Sequence, residues 1–167
     1  MPAKITKIML KGSDIHIVTE EEKNGDVIKT DLESDTPPNP EFIKAMKAVG
    51  GYIFGMMEFP GEWKQKAEAR GVHIGYEEDV RINIIITTYV PLSKFNGGVC
   101  INSPLLREKL PGTPGGGLFA PPKLVDLVKE LRDEAEKYIK GDRAQREIFA
   151  DGEDDEETET GKKKNED

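Results

Sequence analysis

Residues 14–34 read "DIHIVTEEEKNGDVIKTDLES", and this stretch decides the fold. On either side of Asn24-Gly25, β-branched residues recur at every second position, the period of a strand with one buried face. Asn-Gly between two alternating runs is the strongest short-range hairpin signal, because both residues tolerate the positive φ of a type I′ turn. The stretch therefore predicts two antiparallel strands, over about 14–22 and 26–33.

Toward the N-terminus, "KITKIMLKG" alternates in the same way, and Gly12-Ser13 separates it from the hairpin, so a third meandering strand is expected over about 3–11. Toward the C-terminus, "DTPPNP" breaks the pattern. Asn39 suits a helix N-cap and Pro40 the first helical position. Phe42, Ile43, Met46, Val49, Ile53, Met56 and Met57 then follow at helical spacing, and Gly50-Gly51 predicts a kink or a close approach. "EWKQKAEARG" reads as a short second helix stopped by Gly71.

"VHIGYEEDVRINIIITTYV" predicts a short strand, a turn at residues 77–79 and a long strand over 80–90. Val80, Ile82, Ile84 and Ile86 would share one face of the long strand; Arg81, Asn83, Ile85, Thr87 and Tyr89 would share the other. "GGVCIN" adds a short strand, and "LPGTPGGGLFAPP" reads as a loop. In residues 121–140, Leu124, Val128, Leu131, Ala135 and Tyr138 give the clearest helical stripe of the chain, expected to dock on the protein's own sheet. A further helical turn is expected up to Phe149.

The chain has 167 residues and a net charge of −8. Residues 151–167 hold nine carboxylates and three lysines, so they carry −6 of that charge and leave the body at −2. A one-sign block without apolar residues cannot offset its ordering entropy, so the segment is expected to be a disordered acidic tail on a single α+β domain spanning 1–150. The lone cysteine, Cys100, excludes an internal disulfide framework and is expected to be a buried small hydrophobe. The segment "MPAKITKIMLKGSD" interrupts its apolar residues with charges and does not read as a signal peptide. No run approaches the ~20 apolar residues of a membrane span, and a cytoplasmic protein is expected.

Catalytic and cofactor motifs are missing from the sequence. The glycine loop at 111–118 lacks the Gly-Lys-Ser/Thr of a phosphate-binding loop, and prolines separate it from the helix that a dinucleotide fingerprint would open. His16 and His73 lie in separate strands, without metal-ligand spacing, and "DGEDDEE" lacks the ligand order of a calcium loop. No nucleophile elbow is present. The expectation is a protein that is not an enzyme, with no cofactor, metal or catalytic residues. A small hydrolase or transferase would need a pocket lined by His73, Glu77 or Asp79.

If the apolar sides of the strands face the helices, the opposite side exposes Lys7, Met9, Lys11, His16, Lys29, Arg81, Asn83, Thr87 and Tyr89. Cations that neutralise phosphates, combined with a ring that stacks on unpaired bases, suit single-stranded nucleic acid. Lys7, Lys11, Lys29, Arg81, Asn83 and Tyr89 are therefore the candidate nucleic-acid contacts. In the tail, Asp151, Glu153, Asp154, Asp155, Glu156 and Glu157 are candidates for holding a basic protein partner, or for competing with nucleic acid over the domain's own cations.

Three meandering strands, a helix and then a hairpin follow the strand order of an OB-fold barrel. With "DGEDDEETET" behind such a body, the layout resembles that of bacterial and phage single-stranded-DNA-binding proteins. Their acidic tails, which recruit replication and repair partners, usually end on a hydrophobic or aromatic tip, whereas this chain ends "KKKNED". The resemblance implies an accessory protein of DNA replication or recombination. The alternative is a protein–protein adaptor or inhibitor, acting through the tail as a mimic of nucleic-acid charge or through the 121–140 helix.

Overall fold

Asn24 and Gly25 both take positive φ, 54° and 84°. They close an unbroken antiparallel ladder between β2 (Asp14–Lys23) and β3 (Asp26–Ser34). The computed structural model describes residues 3–78, 81–112 and 118–143. β1 (Lys4–Lys11) pairs with β2 on one side and with β4 (Glu68–Glu77) on the other. β4 in turn pairs along its length with β5 (Arg81–Leu92). β6 (Gly97–Asn102) and β7 (Leu106–Glu108) follow one another along the far side of β5, and β8 (Leu118–Ala120) pairs parallel with β7. The result is an eight-stranded, predominantly antiparallel sheet in the order β3-β2-β1-β4-β5-β7-β8. Among the described residues no pairing joins β3 to the other end, so the sheet is open there.

Two long helices, α1 (Pro40–Met56) and α3 (Pro122–Ile139), cover one face of this sheet, and a short helix, α2 (Gly61–Lys66), leads into β4. Asn39 caps α1 as its sequence predicts, its Oδ1 accepting from the Phe42 amide at 3.2 Å. Phe42, Met46, Val49 and Ile53 of α1 meet Leu124, Val128, Leu131 and Tyr138 of α3 over Ile8, Ile15, Ile17, Val72, Ile74 and Ile84. Each such side chain contributes about 1.5–3 kcal/mol by leaving water. At Gly50 the expected close approach is real: an added Cβ would lie 3.1 Å from the Ala69 Cβ.

Several expectations need correction. The helix predicted over 62–71 stops at Lys66, and Glu68–Gly71 open β4 instead, paired with Tyr89–Thr87 around a bulge at Arg70. Leu118–Ala120, predicted as loop, form β8. Cys100 is exposed rather than buried, because β6 lies on the rim of the sheet with most of its residues in solvent. The apolar stripe of α3 is buried against the protein's own core, as its spacing predicts. Val80, Asp79, the helical turn expected to reach Phe149 and the acidic tail lie outside the described residues. Among those residues no helix is long and apolar enough to cross a membrane.

Candidate nucleic-acid interface

Strand alternation puts all six candidate body residues on the face of the sheet that α1 and α3 leave open. Arg81, Asn83 and Tyr89 alternate along β5 with the buried Ile82, Ile84 and Val90. Lys7 and Lys11 are offset from Ile8 and Leu10 of the core, and Lys29 stands opposite Glu20. Ile85, His73, Lys7, Val18 and Asp31 form one continuous row across five strands.

A depression of about 860 Å³ opens on this face, lined among others by Lys7, Lys29, His16, His73, Asn83 and Ile85. It lies where β1 and β4 part. The two strands pair only over Lys7–Met9 and Gly71–His73, and a bulge between Ile5 and Lys7 turns β1 away. Beyond the last pair the strands are bridged by a side chain, as the Tyr76 hydroxyl donates to the Ile5 carbonyl at 2.8 Å. Besides its histidines, the depression has three lysines (Lys4, Lys7 and Lys29) against two carboxylates (Glu20 and Asp31). Lys29 stands 3.5 Å from Glu20, while no carboxylate pairs with Lys7 among the described residues. Burial, reinforced by the Lys7 ammonium, lowers the pKa of His73 below the usual histidine value.

Asn83, Arg81 and Tyr89 have protein partners. The Glu77 carboxylate accepts from Asn83 Nδ2 at 3.1 Å, from Arg107 at 3.2 Å and from Arg81. Those bonds, Asn83's first and then Arg107's, hold Glu77 below the usual carboxylate range. Arg81 is consequently packed, its side chain 18% exposed against 68% for Lys29. The Arg70 guanidinium lies over the Tyr89 ring, 3.6 Å from its centroid. Lys11 sits apart, lining a second depression with Met9, His16 and Glu33. The face thus gathers Lys7, Lys29 and Asn83, and leaves Lys11, Arg81 and Tyr89 toward its margins.

Comparison with protein-family models, with curated proteins and with solved structures returned no match.

Sequence reasoning passed over His73, Arg107 and Leu105 as parts of this surface. His73 alternates with Val72 and Ile74, a pattern that puts it opposite the core. Arg107 belongs to a three-residue strand too short to leave a periodic signal. Among the described residues no His, Cys, Asp and Glu cluster has the geometry of a metal site. His16 Nε2 faces Asp31 at 3.5 Å and Glu33 at 3.8 Å, contacts too long for good hydrogen bonds.

Proposed function

We propose that the helix-free face binds single-stranded nucleic acid without catalysing a reaction on it, as an accessory protein of replication or recombination would. The observation that carries this reading is the concave surface where β1 and β4 part, with Lys7, His73 and Ile85 in register across three strands. Cations there neutralise phosphates, and an apolar floor with hydrogen-bonding Asn83 receives unstacked bases without demanding a sequence. Arg81 acts here as a positioning group for Glu77 and Asn83, and Tyr89 lies at the edge of the track. The chain order of three strands, helix and hairpin supports an OB-like relationship for the β1–β5 part of the sheet. The acidic segment 151–167 competes for the same cations or holds a basic partner.

Fluorescence anisotropy with a labelled oligonucleotide tests the proposal. Binding should weaken steeply with added salt, weaken in Lys7→Glu, and tighten when the chain is cut after Ala150. If neither the full chain nor the shortened one binds single-stranded DNA or RNA at low salt, the reading fails.

A further inference from the structure

We propose that β3 is a self-pairing edge, through which two copies of the chain join their sheets about a two-fold axis. Among the described residues β3 pairs only with β2. It is nine residues long, contains no proline and keeps its register with β2 without a bulge. Proline, bulges and shortness are devices that blunt an exposed edge, and β3 has none of them. Its one such device is charge, Lys29 and Asp31 among it, which becomes attractive when a second copy pairs in the right register. Two of its three apolar residues are also open to solvent: Val27 is 65% exposed and Ile28 is 44%, while Leu32 is half-buried.

The hairpin dictates which backbone groups face outward. A two-residue type I′ turn makes its flanking residues, Lys23 and Asp26, a hydrogen-bonded pair. Alternation along the ladder then turns the amides and carbonyls of Asp26, Ile28, Thr30, Leu32 and Ser34 toward β2. Those of Val27, Lys29, Asp31 and Glu33 point away from the molecule.

Only certain antiparallel registers match outward groups with outward groups, and charge selects among them. A two-fold axis at Thr30 sets Lys29 against the second copy's Asp31, twice over. The same axis sets Ile28 against the second copy's Leu32 on the helix side, and the two Thr30 residues against each other. Moving the axis to Lys29 would oppose lysine to lysine, and moving it to Asp31 would oppose aspartate to aspartate. With the axis at Leu32, Asp31 would meet Glu33. A slip of one residue exchanges the two faces of the strand. The side chains of Lys29 and Asp31 are 68% and 65% exposed, so the pairing requires no opening of the fold. Lys29 then lies between its own Glu20 and the second copy's Asp31, and the two open faces run on as one surface. This assembly does not depend on what that surface binds.

Sedimentation equilibrium of the full chain tests the proposal, and a concentration-dependent dimer is expected. Lys29→Asp and Asp31→Lys should each weaken dimerisation by about tenfold or more, since two attractive pairs become repulsive in each homodimer. An equimolar mixture of the two variants should recover the dimer, because every cross-strand pair in the heterodimer is again opposite in sign. In a Cys100→Ser background, Thr30→Cys should cross-link two copies on oxidation, whereas Ile28→Cys, which faces Leu32, should not. A full chain that stays monomeric at high concentration overturns the proposal, including the case in which its own residues 144–167 occupy the edge. So does a dimer indifferent to both charge reversals.

Discussion

Lys7 on β1 and His73 on β4 stand directly opposite each other across the short seam that joins the two halves of the sheet. Burial, then the ammonium opposite, lowers the pKa of His73 below the usual histidine value of ~6.5. The folded state therefore holds fewer protons on His73 than the unfolded chain between the lowered pKa and the usual one. Its contribution to stability is fully present above the usual value and is lost as pH falls toward the lowered one. An NMR titration should place the His73 midpoint below ~6.5, and Lys7→Gln should raise it. A midpoint unmoved by that substitution would show that Lys7 has no influence there.

The same pair gives the proposed ligand a pH signature. A phosphate seated by Lys7 offsets the ammonium's repulsion and favours protonated His73, so binding takes up a proton. Affinity for an oligonucleotide should rise from pH 8 to pH 6 in the parent protein, and this rise should shrink in His73→Gln. A flat profile in the parent would remove His73 from the contact surface.

Tyr138 is fully buried, and its hydroxyl donates to the Thr36 carbonyl at 2.6 Å, tying α3 to the segment after β3. Its ring also meets Phe42 edge-on, with centroids 6.1 Å apart. Tyr138→Phe keeps the ring contact and strands the carbonyl. The expected loss is about 1–2 kcal/mol, read as a lower urea midpoint with an unchanged slope.

Thr88 and Ser103 are the buried polar residues of the described core, and they should respond oppositely to substitution. The Thr88 hydroxyl has no hydrogen-bond partner among the described residues, so Thr88→Val, of similar shape, should be neutral or stabilising by about 1 kcal/mol. Ser103 Oγ accepts from the Ile86 amide at 2.9 Å, in the gap between β6 and β7. Ser103→Ala leaves that amide unpaired and should cost about 1–3 kcal/mol. Thermal unfolding of both variants separates the two cases.

Gly98 is a glycine for a steric reason. A Cβ there would overlap the Val90 carbonyl and sit 2.6 Å from the Tyr89 ring. Gly98→Ala should push β6 off β5 and destabilise by about 1–3 kcal/mol. Tyr89→Ala should rescue it only in part, because the carbonyl remains. Full rescue would assign the whole clash to the ring.

The hairpin was readable because its determinants are local: two residues that tolerate positive φ, between runs of period two. The alternation of β5 was equally plain, with five buried residues at every second position from Ile82 to Val90. Glu68–Arg70 misled because those residues favour a helix in isolation, and only the length of β5 recruits them into a ladder. β8 was hidden for a related reason: three residues among glycines and prolines become a strand only when Leu106–Glu108 lie alongside. For the candidate site, alternation gave the face, and Glu77 meets Arg81 across the β4–β5 hairpin only four residues away. Arg107 reaches Glu77, and Arg70 reaches Tyr89, through pairings that no local spacing encodes.

Because β1 and β4 share only three residue pairs, the strands alone hold the N-terminal meander weakly to the rest of the protein. The fastening falls to α1 and α3, whose buried faces draw on both sides of that junction. Amide exchange at Lys7–Met9 should therefore report on whether the helices stay docked. The protein should first come apart along this fault line, as a hinged lid does once its latch is lifted.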